Sequence, residues 1–313
     1  MKNLLSKIFS ISEYNETHKI MYFMGIKLKY PKQKYLKMKK ENPYYYYKKH
    51  NLDITTLPPA KGQIRDIQLA NLALLIELDY VCKQHDLKYW LDAGTLMGAI
   101  RHKGFIPWDD DIDTAMLRED YERIIDIFNK TTRNPDIFAG YTRDRHDNLL
   151  IKIQHKKCKY LFVDIFPWDN YGELLSTEDE LKQTQRIKNI MNTELDSSMT
   201  TEELRTKVLD TMNNQILHKI TDENKEKSFV WGIDYHHQWK NWFTHYDVVF
   251  PLKTIGFEGI EFSCMNNPDA FLTRVYGNYM GYPSKIGFGH STYATLTDEE
   301  KCVIKELINN LEK

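Results

Sequence analysis

Apolar and polar positions along this chain switch repeatedly between a helical and a strand period, and the switches predict most of its elements. From Gln63 to about Asp86, apolar residues recur at Ile64, Ile67, Leu72, Leu75, Leu78 and Cys82, the spacing of a helix with one buried face. A short run at Lys88–Leu91 predicts a strand, and Asp120 to Asn129 predicts a second amphipathic helix. The alternation LLIKIQH at Leu149–His155 predicts another strand, and YLFVDIFPWD the next, with Asp164 at its end. Alternating strands and helices predict an α/β (α+β) domain. Ser176 to Ile220 then reads as helical and polar. Thr177-x-x-Glu180 and Thr200-x-x-Glu203 are capping-box signatures, and Asp196-Ser197-Ser198 predicts the break between two helices of an insertion. Phe229 to Phe250 is rich in Trp, Tyr and His, with weak periodicity. Thr254–Phe262 predicts a hairpin, Pro268–Tyr276 a short helix, and Thr297-x-x-Glu300 caps a final one.

Leu57-Pro58-Pro59 marks a boundary. It divides the chain into a basic amphipathic N-terminal extension, 1–58, and a domain, 59–313, that carries the helical insertion 176–220. With 42% apolar residues among 313, the domain has ample material for a core. Net charge changes the picture at the N-terminus. Residues 1–50 hold twelve lysines, three glutamates and no arginine, so they carry +9 against −10 for the remainder. A basic arm on an acidic body predicts an anionic membrane surface as partner, lysines on lipid headgroups and apolar groups among them; the acidic body is a poor nucleic-acid binder. No apolar run approaches the ~20 residues that span a bilayer, and Ile20–Leu28, interrupted by Lys27, lacks the features of a signal peptide. The four cysteines are scattered without a C-x-x-C pair, as in a reducing cytosol.

The candidate chemistry is concentrated in YWLDAGTLMGAIRHKGFIPWDDDIDTAM, Tyr89–Met116. On a strand, Asp109, Asp111 and Asp113 would share one face and Asp110 the other. Three such carboxylates repel unless a hard divalent cation, Mg²⁺, Mn²⁺ or Ca²⁺ rather than zinc, lies among them. Asp109, Asp111, Asp113 and Asp120 approach the spacing of an EF-hand loop, but Thr114 stands where that loop needs glycine and no helix runs through Gly104-Phe105-Ile106-Pro107. Gly94-Thr95 follows an apolar strand at a helix start, which favours an anion. Arg101, at the far end of that helix, is a candidate phosphate ligand.

The segments RDIQLANLALLIELDYVCKQHDLKYWLDAGTLMGAIRHKGFIPWDDDIDTAMLREDYERI, KIQHKKCKYLFVDIFPWD and EGIEFSCMNNPDAFLTRVYGNYMGYP together resemble the LicD/fukutin-related family of the nucleotidyltransferase-fold superfamily. The match runs over roughly Arg65–Pro283, with the helical middle unmatched. The resemblance implies a nucleotidyltransferase-like mixed sheet flanked by helices. It also implies Mg²⁺-dependent transfer of a phospho-alcohol, most often phosphocholine from CDP-choline, to a sugar hydroxyl of a surface glycan of lipopolysaccharide or capsule type, with release of CMP. Phosphoglycerol or phosphoribitol transfer, nucleotidyl transfer, or a non-catalytic partner in glycan assembly are the alternatives. By the same resemblance Asp111 and Asp113 are the paired metal carboxylates, Asp109 the family's extra acid, and Asp164 its third-strand acid, acting as ligand or as base. Gly94-Thr95 is the superfamily's small-residue turn, and Lys152 a lysine facing the donor phosphates. Trp108, Trp168 and Tyr276 are candidates for an aromatic cage around a quaternary ammonium, and His290 is a further candidate contact. Asn278 and Gly281-Tyr282 depart from the family's usual Asp and Lys-Leu, on the acceptor side. Family and basic arm together imply a cytoplasmic enzyme, peripheral on the inner face of a bacterial membrane.

Overall fold

The computed structural model describes residues 9–13, 18–23, 26–31, 42–143, 148–172, 176–195, 198–217, 228–232, 234, 243–284, 286, 289, 291 and 294–311. The chain divides into two compact units, 1–58 and 59–313. In the first, β1 (Phe9–Glu13), β2 (His18–Phe23) and β3 (Ile26–Pro31) form an antiparallel meander. The run of four tyrosines belongs to a short helix, α1 (Pro43–Lys49), started by Asn42, whose side chain accepts from the Tyr44 backbone N–H at 2.9 Å. Tyr44 is buried, and the Tyr47 hydroxyl donates to the Thr56 carbonyl. Among the described residues no helix is long and apolar enough to cross a membrane.

The second unit is a mixed α/β fold around a seven-stranded sheet. Its first helix, α2 (Gln63–Gln84), buries Ile67, Leu74, Leu75, Leu78 and Val81 against the sheet and ends at His85. β4 (Tyr89–Leu91) leads into α3 (Ala93–His102), which Asp92 caps by accepting from the Ala93 N–H at 2.8 Å. β5 (Ile112–Leu117) and α4 (Arg118–Thr131) follow, then β6 (Ile137–Arg143), β7 (Leu149–His155) and the long β8 (Cys158–Asn170). β5 and β8 run parallel; β4 pairs with β5, and β7 with β8 and β6, antiparallel. β8 is buried from Leu161 to Phe166, apolar on both faces except at Asp164, because helices and loops cover both.

The insertion comprises α5 (Thr177–Glu194) and α6 (Thr201–Thr211), which runs into a π turn at Met212–Ile216. Thr200 and Glu203 form the expected reciprocal cap on α6. The start of α5 differs. Its cap is Ser176, whose hydroxyl accepts from the Asp179 N–H at 3.2 Å, one residue before the expected Thr177-x-x-Glu180 register. That shift frees Glu180 to turn inward, where it is buried and pairs with Arg274. The expected break at Asp196-Ser197 lies outside the described residues. β9 (Ser228–Trp231), β10 (Phe243–His245) and the four-residue α7 (Tyr246–Val249) lead to the hairpin β11 (Lys253–Phe257) and β12 (Ile260–Cys264). α8 (Pro268–Tyr276) and α9 (Asp298–Leu311) complete the unit. The Thr297 and Glu300 cap on α9 forms as its sequence predicts, with bonds of 2.8 and 3.1 Å.

Two expectations about the acids change. The strand begins only at Ile112, so Asp109, Asp110 and Asp111 occupy the turn that enters β5, and Asp113 alone of the four is in it. Pro107 and the buried Phe105, Ile106 and Trp108 hold that turn in a path that no ladder could follow. Asp164 lies mid-strand rather than at a strand end, because apolar residues continue β8 to Trp168.

Candidate active site

The site is assembled at the N-terminal end of β5. In the parallel ladder Asp113 stands opposite Asp164, and in the neighbouring antiparallel ladder Asp164 stands opposite Lys152. The three side chains therefore form a row across β5, β8 and β7. Carboxylate oxygens of Asp111, Asp113 and Asp164 all lie within 4.8 Å of one another. Asp109 joins from the turn, facing both Asp111 and Asp113. Two unit charges 4 Å apart repel by about 4 kcal/mol at the effective dielectric of ~20 near protein surfaces. A cluster of this kind needs protons or a cation. Burial, and then the neighbouring Asp111 charge, push both Asp109 and Asp113 well above the usual carboxylate range. All-oxygen donors in this spacing fit a hard divalent cation of the Mg²⁺ or Mn²⁺ type.

The turn before α3 meets the acids closely. The Gly94 N–H donates to Asp113 Oδ2 at 3.2 Å, and the Thr95 hydroxyl accepts from the Asp113 N–H at 2.8 Å. Both residues, expected on substrate, are thus engaged in orienting Asp113. A Cβ on Gly94 would stand 3.1 Å from Asp109 Oδ2 and 3.4 Å from Asp113 Oδ2. Gly94→Ala is therefore expected to shift these carboxylates by a few tenths of an ångström and lower turnover about tenfold. Steady-state kinetics beside a melting curve checks this: unchanged turnover would mean that the close approach is idle. Further along α3, Gly98 is required by packing, since its Cβ would come 2.5 Å from the Gly104 carbonyl oxygen.

Behind the acids, Asp92 is fully buried and accepts from the indole N–H groups of Trp168 (3.1 Å) and Trp231 (2.9 Å). Burial pushes its carboxyl up to about 6. Trp168 is thereby placed in the core, packed on Trp90 and Phe271, and is no member of an aromatic cage. Trp108 and Tyr276 do line the cleft beside the acids, together with Gly94, Arg101 and Asn278; its volume is about 410 Å³, within the range of small-molecule sites. Local desolvation of the hydroxyl, then the nearby Asp113 charge, raise Tyr276, although the residue as a whole is exposed. His290 lies outside the described residues.

Arg101 reaches the cleft wall but is also a strut. Its guanidinium donates to the Tyr279 carbonyl at 2.6 Å and to His102 Nε2 at 2.9 Å, and stacks 5.7 Å over Trp108. Burial, then the Arg101 cation, push the His102 imidazole down to about 3, so it stays neutral and accepts that bond. Lys152, expected to face donor phosphates, gives its ammonium to Asp164 at 2.8 Å, over the Phe162 ring. Asp110 points away from the cleft, as its strand parity suggested, although for another reason. Its carboxylate accepts from the Ser291 backbone N–H at 2.7 Å and from the Ser291 hydroxyl, tying a C-terminal segment to the turn. Asp120, from the EF-hand spacing, is remote: it lies on α4 and accepts from the Lys88 backbone N–H that precedes β4.

Several supports went unnoticed in the sequence. Gln68 donates to the carbonyls of Ile106 (3.3 Å) and Asp109 (2.6 Å), and Asn71 to that of Asp110 (2.7 Å). The signal was available: Asn71 falls four residues after Ile67 and four before Leu75, a polar residue within an apolar stripe. Glu258, at the tip of the β11–β12 hairpin, pairs with Arg65 at 2.6 Å and accepts from the Phe105 N–H at 3.0 Å. Nothing local marks that contact, which joins residues 153 positions apart.

The raised carboxyls set a direction for pH dependence. In the unfolded chain they titrate near 4, so their proton-linked contribution to stability is complete below that pH. It is lost as pH rises through the folded values, for Asp92 near 6. Without divalent cation, the melting temperature is expected to fall more between pH 5 and 7.5 in the native protein than in Asp113→Asn, which removes one repelled charge. Parallel pH profiles would show that the cluster is uncoupled.

Comparison with known proteins covers the two acidic segments. The family model described as LicD/FKTN/FKRP, nucleotidyltransferase domain, matches residues 86–195. The lipopolysaccharide cholinephosphotransferase LicD of Haemophilus influenzae is 31% identical over 258 residues, 71% of this chain and 93% of that protein. An uncharacterized Rickettsia prowazekii protein, RP689, is 29% identical over 155 residues, 46% of this chain and 58% of its own. Human ribitol 5-phosphate transferase FKRP is 24% identical over 103 residues, 33% of this chain and 21% of its own.

Proposed function

We propose, from the premise that this chain belongs to the LicD/FKTN/FKRP family, that it moves phosphocholine from CDP-choline to a sugar hydroxyl of a surface glycan. The chain is a transferase of phosphate-containing groups. The observation that carries the finer reading is the converging row of Asp111, Asp113 and Asp164 beneath a cleft walled by Trp108 and Tyr276. The acceptor hydroxyl oxygen forms a bond to the choline-bearing phosphorus, the bond from that phosphorus to the bridging oxygen breaks, CMP leaves with the electron pair, and the hydroxyl's proton is released to water. A Mg²⁺ ion bound by Asp111, Asp113 and Asp164, with Asp109 beside them, would neutralise the pyrophosphate and polarise phosphorus.

The protein's own groups supply placement. Gly94 and Thr95 hold Asp113 in orientation, and Arg101 keeps the 276–281 wall against α3 through the Tyr279 carbonyl. Lys152 already occupies one oxygen of Asp164, which supports a ligand role for Asp164 over that of base. Trp108 and Tyr276 line the cleft, and contact of a quaternary ammonium with such a ring is worth ~0.5–2 kcal/mol. The 31% identity to a cholinephosphotransferase over most of its length supports choline as the alcohol.

The test is CMP release with Mg²⁺ and candidate glycans from CDP-choline, CDP-glycerol and CDP-ribitol in parallel. Release from CDP-choline is the expected result; release from CDP-glycerol or CDP-ribitol alone would reject choline. A second test concerns location. The +9 charge of residues 1–50 supports peripheral attachment to an anionic membrane at ~1 kcal/mol per lysine near the surface. The full chain is expected to sediment with anionic vesicles and not with zwitterionic ones, and removal of residues 1–50 to abolish the difference. Undiminished sedimentation of the shortened chain would refute the attachment.

A further inference from the structure

We infer that Asn71 is a positioning residue for the carboxylate set, acting as a side-chain rung that fixes the acidic turn relative to β8. The inference rests on the reading of Asp111, Asp113 and Asp164 as cation ligands. The parallel ladder fixes Asp113 against Asp164, but its first registered pair is Ile112 with Val163. Asp109 and Asp111 therefore stand beyond the end of the ladder. One position before that pair the register would set Asp111 beside Phe162, and here the Asn71 carboxamide bridges the two chains. Its Nδ2 donates to the Asp110 carbonyl at 2.7 Å, and its Oδ1 accepts from the Phe162 N–H at 2.9 Å.

The bridge touches both halves of the site at one remove. Asp110 is flanked by Asp109 and Asp111. Phe162 lies two residues before Asp164 on the same side of β8, and its ring carries the Lys152 ammonium that pairs with Asp164. The Asn71 side chain is fully buried, so the two backbone groups it joins have no access to bulk water. An amide spanning the two backbones holds them apart by its own width, at the point where the turn carboxylates diverge from the strand. Gln68, one helical turn earlier, fixes the Asp109 carbonyl at 2.6 Å but makes no bond to β8. Asn71 alone of these two links the turn to the strand.

A control for the pair of bonds exists in the same domain, on an exposed side chain. Asn129 makes the same pair of bonds to one backbone segment, donating to the Ala139 carbonyl at 2.9 Å and accepting from its N–H at 2.8 Å, away from the acids. The probe is Mn²⁺, titrated calorimetrically into the full chain, with thermal unfolding recorded in parallel. Asn71→Leu removes both bonds, and Asn71→Ser removes them without added bulk should the leucine variant fail to fold. The expected result is that a folded Asn71 variant binds Mn²⁺ on the order of tenfold more weakly, while Asn129→Leu binds as the native protein does. Mn²⁺ affinity within twofold of native in a folded Asn71 variant would overturn the inference, as would an equal loss in Asn129→Leu. Absence of Mn²⁺ binding by the native chain would instead overturn the ligand reading on which it rests.

Discussion

Asp113→Asn is expected to reduce transfer by about a thousandfold or more and at the same time to raise the melting temperature of the metal-free protein. Both halves follow from one position. Asp113 is the acid that contacts the rest of the set: it stands opposite Asp164 in the ladder, shares its neighbourhood with Asp111 and Asp109, and is oriented by Gly94 and Thr95. Loss of a ligand that neutralises phosphate charge in the transition state forfeits several kcal/mol, and ~1.4 kcal/mol is a factor of ten in rate. Yet the same carboxylate, half-buried, desolvated and repelled by Asp111, Asp164 and Asp92, is held well above its ordinary range and opposes folding when ionised. An amide of the same shape removes that repulsion. CMP release and a melting curve at pH 7.5 check the pair of effects. Native activity in Asp113→Asn would sink the catalytic reading and leave a binding partner that keeps the fold.

Arg118→Met is expected to cost about 3–5 kcal/mol of folding stability, a large share of the ~5–15 kcal/mol typical of a domain. Arg118 begins α4 and is enclosed by acids. It binds Asp169 at 2.8 and 2.9 Å, Asp234 at 2.5 and 2.9 Å, and Glu122 at 3.2 Å. Asp169 and Asp234 are almost fully buried, so removing the guanidinium leaves two carboxylates with neither cation nor water. Methionine keeps much of the volume, which isolates the charge from the packing. Urea unfolding measures the loss, and adding Asp169→Asn and Asp234→Asn should recover part of it by removing the stranded charges. A loss under 1 kcal/mol would mean that water reaches the pocket.

The two variants separate the ends of the same strand. Asp113, near the start of β5, belongs to a cluster of like charges that the fold tolerates at a cost in stability. Arg118, just past its end, belongs to a cluster of opposite charges that holds β8 and α4 together.

Elements dominated by local signals were legible in the sequence. α2, β7, the β11–β12 hairpin and α8 follow from periodicity, turn glycine and helix-starting proline, because burial of one face and the φ requirements of a turn are decided within a few residues. The grouping of Asp109, Asp111 and Asp113 could also be anticipated, since residues two apart stay within a few ångströms of each other in any extended path. The family resemblance supplied Asp164, which spacing alone could not attach to the set.

Only the tertiary structure decided what those residues face. Trp168 reads as an aromatic candidate for a ligand, yet the buried Asp92 claims its indole N–H together with that of Trp231. Lys152 and Asp164 are twelve residues apart along the chain and meet because an antiparallel register pairs them. Asn71, Glu258 and Ser291 fix the acidic turn from 39, 153 and 181 positions away. Hydrogen-bond partners across such separations depend on how helices and hairpins dock on the sheet, and docking is set by the whole core. The sequence by itself therefore determined which residues are chemically suited to a cation and a phosphate. The folded chain decided which of them are free to act and which are spent holding the others in place.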